Sequence, residues 1–101
     1  MSFEIRFSPK AIITFDEIIT QLNQRWGDKF VKKFKDKVSY SLDNIIETPF
    51  LYPIAPENIE LRKCVLHKNC SMFYRVNNNI IEIIYFWDNR QDPLILPLFS
   101  I

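Results

Sequence analysis

Residues 59–87 read IELRKCVLHKNCSMFYRVNNNIIEIIYFW, and this stretch decides the fold. Three runs, Ile59 to Leu66, Cys70 to Val76 and Ile80 to Trp87, are rich in β-branched and aromatic side chains. Such side chains suit a pleated, half-buried surface. The runs are separated by His67-Lys68-Asn69 and by Asn77-Asn78-Asn79, and asparagine tolerates the left-handed backbone of tight turns. Three antiparallel strands in succession are therefore predicted. A first hairpin centred near Lys68 sets Arg62 opposite Tyr74 and Arg75 opposite Leu61. Arg62 and Tyr74 then share one face of the sheet, and Arg75 points to the other.

Upstream of these strands the period changes. Phe3, Ile5 and Phe7 alternate with Glu4 and Arg6, which predicts a short strand. Ser8 suits a helix cap and Pro9 the first helical position. Ile12, Phe15, Ile19, Leu22 and Trp26 then recur at steps of three and four, the stripe of an amphipathic helix ending near Gly27. Asp28 favours the first turn of a second helix, whose buried face is marked by Phe30, Phe34, Val38, Leu42 and Ile45. Thr48-Pro49 stops it, and the short connection makes the two helices an antiparallel hairpin. Pro49, Pro53 and Pro56 punctuate a stiff loop with no hydrophobic period. The expected architecture is α+β in the order β-α-α-β-β-β, a helical hairpin on a mostly antiparallel four-stranded sheet, with residues 1–101 as one domain.

Composition bounds the function. A chain of 101 residues with 48% hydrophobic and 15% aromatic residues can bury a core without staples. Its formal charge of +1 counts mildly against life on a polyanion. Gly27 is the single glycine, so no glycine-rich phosphate loop exists and nucleotide hydrolysis is excluded. Cys64 and Cys70 are spaced too widely across a hairpin for an unstrained disulfide. With His67 between them they lack a zinc-site pattern, so they are read as reduced thiols acting as small hydrophobes. Neither a metal nor a cofactor is expected. No run approaches the ~20 apolar residues of a membrane span, so a soluble, cytoplasmic protein is expected.

Motifs in the second half carry a resemblance. Leu61-Arg62 opens the first central strand, Phe73-Tyr74-Arg75-Val76 lies in the next, and Asp88-Asn89-Arg90-Gln91-Asp92-Pro93 follows the last. Together with Ser8-Pro9-Lys10-Ala11, this order resembles the RelE/ParE toxin superfamily, and its ParE-like members and plasmid stabilisation proteins most. The resemblance implies a toxin of a type II toxin–antitoxin system, held inactive in a hetero-oligomer by a cognate antitoxin. RelE-like members cut mRNA on the ribosome; ParE-like members poison DNA gyrase. The expectation here is gyrase inhibition. The alternatives are ribosome-dependent mRNA cleavage and a degenerate, non-toxic antitoxin-binding module.

RNA cleavage needs the 2′-hydroxyl activated, the phosphate charge stabilised and a proton donated to the leaving oxygen. Arg62 and Arg90 match basic positions of the family, and Arg90 offers a planar fork for phosphate. Where the family has two further basic residues, this chain has Cys64 and a position near Ser71. A substitute ribonuclease set would be Arg62, His67, Tyr74 and Arg90, with Asp88 or Asp92 as a base beside Arg90. His67 on a hairpin tip is more simply a solvated side chain, and the aspartates more simply turn formers or partners of Arg90. The face shared by Arg62 and Tyr74 is expected either to be the helix-free, concave side or to hold Arg62 merely solvated. Target- or antitoxin-binding candidates are Arg62, Arg75, Asp88, Arg90, Asp92, Leu94 and Leu96. The proline-broken apolar tail from Pro93 to Ile101 is expected to lie across the sheet or meet a partner. A groove between the helical hairpin and the sheet edge, with Leu94-Ile95-Leu96, would take an antitoxin helix or an added strand. Lys29, Lys33 and Lys37, with Lys32 and Lys35 close by, form a basic stripe diluted by Asp28 and Asp36. That stripe is read first as the wet face of an amphipathic helix. Trp26, Trp87 and the phenylalanines are read as core.

Overall fold

The structure, a computed structural model, describes residues 2–67 and 70–88. Its elements are β1 (Glu4–Phe7), α1 (Pro9–Trp26), α2 (Asp28–Glu47), β2 (Ile54–Ala55), β3 (Asn58–His67), β4 (Cys70–Asn77) and β5 (Ile80–Asp88). The predicted order holds, with one strand added. Residues Ile54 and Ala55 pair antiparallel with β3, so among the described residues the sheet has five strands in the order β1-β5-β4-β3-β2. β1 lies parallel to β5, and the remaining pairs are antiparallel.

Local chemistry explains the boundaries. Ser8 caps α1, its Oγ accepting from Ala11 N at 3.0 Å, and Pro9 occupies the first turn. Gly27, at φ 85°, takes the left-handed backbone between the helices. Asn78, at φ 57°, does the same in the turn from β4 to β5.

Both helices cover one face of the sheet. Beneath them Ala11, Ile18, Phe34, Val38 and Ile45 meet Cys64, Leu66, Met72, Tyr74, Ile81, Ile83 and Phe86 in the main core. The predicted stripe of α1 is rotated. Ala11 and Ile18 are its buried residues, with Phe15, Ile19 and Leu22 packed beside them. Ile12 and Trp26, expected in the core, are 55% and 57% exposed. Phe7, Phe30 and Phe50 are exposed as well, so the aromatic residues are not all core.

A second, smaller cluster lies on the other face: Ala55, Leu61, Phe73, Ile84, Tyr85 and Trp87. Its shape depends on a bulge. Phe73 pairs with Tyr85 and Tyr74 with Ile83, which leaves Ile84 as an extra residue on β5. The bulge sends the neighbouring side chains Ile84 and Tyr85 into the same cluster, which strict alternation forbids. It is also tied to α1. Ser8 N donates to Ile83 O at 2.9 Å, and Ser8 Oγ donates to Ile84 O.

Candidate functional site

The register delivers the predicted partnership of Arg62 and Tyr74, which are direct cross-strand neighbours. The face they share is the helix-covered one, because Tyr74 lies in the main core with Val38 and Ile45. The helix-free placement is thereby corrected. The physical reason is that alternation fixes which residues share a side and leaves open which side the helices take. Arg62 is not simply solvated either. Its Nη1 donates to Tyr52 O at 2.8 Å, and its guanidinium lies 4.9 Å from the centre of the Phe50 ring. Tyr74 Oη donates to Pro49 O at 2.8 Å, and the Tyr52 ring meets Tyr74 edge-on. Both side chains therefore hold residues 49–52, the loop from α2 to β2. Burial pushes the Tyr74 phenol up to about 12, far from the range in which a proton shuttle works near neutral pH.

A buried polar network adjoins this loop. Burial raises the Cys64 thiol, while hydrogen bonds with Ser41 and Tyr52 pull the other way. Burial also raises the Tyr52 phenol. Cys64 and Cys70 are buried free thiols, as the spacing suggested.

The remaining candidates are scattered. Arg75 faces away from Tyr74 and pairs across the ladder with Glu82, Nε to Oε1 at 3.0 Å. His67 ends β3, exposed, opposite Cys70. Asp88 ends β5 and is buried. Arg90, Asp92, Leu94 and Leu96 lie outside the described residues, as does the rest of the tail. On the helix-free face Lys63 pairs with Glu57 and sits 5.7 Å from the Phe73 ring centre. Ser71 is fully buried there, and its Oγ has no hydrogen-bond partner among the described residues. Among the described residues no three His, Cys, Asp or Glu side chains converge as a metal site would require.

Two depressions accompany these residues. One cleft of about 230 Å³ opens where β5 ends, lined by Lys10, Thr14, Glu17 and Gln21 of α1 and by Tyr85 to Asp88. Sequence reading passed over its α1 side, although steps of four, three and four place those polar residues in one helical row. Thr14 is already engaged, its Oγ1 accepting from Phe86 N at 2.9 Å. Burial, with Glu57 adding to it, lifts the Tyr85 phenol to about 12. The second depression, an apolar groove of about 170 Å³, runs between the end of β1 and the helices, lined by Phe7, Ala11, Ile12, Phe15, Asp16 and Val38. It lies at the expected junction of helical hairpin and sheet edge. Among the described residues no helix is long and apolar enough to cross a membrane.

Known folds share this arrangement. The chain is similar to a chain in the chromosomal ParDE toxin–antitoxin system of P. aeruginosa, with a TM-score of 0.71 at 17% identity over 85% of this chain and 95% of that one. The heterotetrameric YoeB–YefM toxin–antitoxin complex of Staphylococcus aureus matches at TM-score 0.56 and 21% identity, covering 84% and 94%. The E. coli DinJ–YafQ toxin–antitoxin complex matches at 0.60 and 10% identity, covering 89% and 96%. At these identities the likeness is one of fold. No curated protein matches the sequence. The family model described as "ParE toxin of type II toxin-antitoxin system, parDE" matches residues 5–93. That match takes in both helices and every strand but the first residue of β1, and by it the chain belongs to the ParE toxin family of type II toxin–antitoxin systems.

Proposed function

We propose that this toxin acts by binding and not by cleaving RNA, with DNA gyrase as its target and a cognate antitoxin as its inhibitor. The observation that supports this most is the employment of the side chains a ribonuclease would need. Arg62 and Tyr74 hold the backbone of residues 49–52, and the Tyr74 phenol is pushed up to about 12. Cys64 stands where the family resemblance calls for a basic side chain and Ser71 lies near the second such position, and both are buried. A buried thiol and a buried hydroxyl cannot stabilise the charge that develops on phosphate. The apolar groove beside Phe7, Ile12 and Val38 suits an amphipathic antitoxin helix. Solved relatives in complex with antitoxins make an antitoxin the natural partner here.

The test combines a purified assay with a cellular one. The purified toxin is expected to inhibit gyrase supercoiling, and the antitoxin to reverse the inhibition. On tightly controlled induction, labelled thymidine uptake should fall before labelled methionine uptake. Supercoiling left untouched by pure toxin, with methionine uptake lost first, would move the target to the ribosome and mRNA.

A further inference from the structure

The tip of the helical hairpin carries the strongest charge asymmetry in the molecule. Residues 25–37 hold six basic and two acidic side chains, a net of +4 in a chain whose formal charge is +1, so the rest of the chain carries −3. Lys29, Lys32, Lys33, Lys35 and Lys37 are all exposed. Among the described residues Lys32 alone of these five meets a carboxylate, Asp36 at 3.2 Å. Two large aromatic side chains lie in the middle of this charge. Trp26 and Phe30 are 57% and 45% exposed, and their rings pack together with centroids 5.3 Å apart. Lys33 sits 5.8 Å from the Phe30 ring centre, and Lys37 5.9 Å from that of the exposed Tyr40.

An exposed aromatic centre with a charged rim has the anatomy of a protein-binding hot spot. The lysines also supply a ruler. Lys29, Lys33 and Lys37 rise along α2 in steps of about 6 Å, and carboxylates at every fourth residue of a second helix repeat at the same interval. The aromatic pair argues for protein over nucleic acid. Its two rings lean on each other at 38° and form one joint apolar spot, leaving no pair of open parallel faces between which a base could stack. From the packed rings, the lysine ladder and the charge asymmetry, we infer that the hairpin tip docks an acidic amphipathic helix of a protein partner. That helix sets carboxylates at four-residue spacing against Lys29, Lys33 and Lys37 and covers Trp26 and Phe30 with a large apolar side chain. The inference holds whichever cellular target the toxin has.

Trp26 is itself the reporter, since the other tryptophan, Trp87, is 5% exposed. The full chain is titrated with three probes. They are a helical peptide bearing Glu at every fourth position and one Leu, the same peptide with Gln for Glu, and a short single-stranded DNA. The Glu peptide is expected to shift Trp26 emission to the blue and to bind at least about tenfold tighter than the Gln peptide. Its affinity should fall as salt rises. Lys29→Gln/Lys33→Gln should weaken it about tenfold with an unchanged thermal melt, and Trp26→Phe should abolish the spectral shift. Equal binding of the Glu and Gln peptides, binding indifferent to the double substitution, or preferential binding of the DNA would each overturn the inference.

Discussion

Tyr74 and Arg62 stand directly opposite each other on β4 and β3, and both donate to the backbone of the same loop, Tyr74 to Pro49 O and Arg62 to Tyr52 O, each at 2.8 Å. The pair is a clasp that closes the connection from α2 onto the sheet. Tyr74→Phe keeps the ring and removes only the donor, leaving the buried Pro49 carbonyl without its partner. The expected loss is about 1 kcal/mol, a fall of roughly 4–8 °C in Tm for a domain of this size. A calorimetric melt decides it, and an unchanged Tm would mean the loop stands without the clasp.

Ser8 performs two tasks at once, capping α1 through Ala11 N and donating to the bulge at Ile84 O. Ser8→Ala loses both and should cost about 1–2 kcal/mol. Ser8→Asp restores an acceptor for the cap but offers no donor to Ile84 O, so its stability should lie between wild type and Ser8→Ala. Equal melting of Asp and Ser variants in urea would show that the contact with the bulge contributes nothing.

The tyrosines predict a loss of stability in alkali. Tyr74 and Tyr85 are each pushed from 10.0 to about 12 by burial. A raised phenol pKa means that the folded protein keeps a proton that the unfolded chain has released. Stability is therefore intact below pH 10 and declines as pH rises from 10 to 12. The raised Cys64 thiol acts in the same direction. Tm should be level up to about pH 9 and then fall, and the fall should be shallower in Tyr74→Phe. Melts between pH 8 and pH 11.5, with phenolate absorbance followed in parallel, test the sign.

Asn78 occupies the left-handed region at φ 57°, where a β-branched side chain is penalised by roughly 1–2 kcal/mol. Asn78→Gly should melt within about 0.5 kcal/mol of the parent. Asn78→Val should be clearly weaker, and parity between them would show that the turn rearranges.

What was legible in the sequence follows from what periodicity encodes. The β3–β4 register was readable because the runs on either side of Lys68 leave little choice of pairing, and Arg62 does face Tyr74. Ser8, Gly27 and Asn78 announced their roles through backbone chemistry. Other features had no local signature. β2 is two residues between prolines, and its pairing with β3 is a tertiary fact. The extra residue Ile84 sits in an unbroken apolar run, where alternation gives no sign of a bulge. Trp26 fits the helical period but falls at the last residue of α1 and is 57% exposed. The candidate site was harder still. Residue types suggested chemistry for Arg62 and Tyr74, while the loop carbonyls that engage them are invisible until the chain is folded.

Arg62 separates the two modes of action most cleanly. Its guanidinium bonds Tyr52 O and lies over the Phe50 ring, so Arg62→Lys keeps the charge but loses the planar fork and its stacking. If the residue acts through the loop, the substitution should cost roughly 1 kcal/mol of stability. Inhibition of supercoiling, measured per folded molecule, should stay within about twofold. A ribonuclease that used Arg62 on phosphate would behave otherwise. It would lose activity by about 10² or more at unchanged stability, because a preorganised charge acts on the transition state and not on the fold. Measuring Tm, supercoiling inhibition and mRNA cleavage on the same preparation tells these apart. A stable, inactive Arg62→Lys toxin would mean that this face carries the chemistry after all.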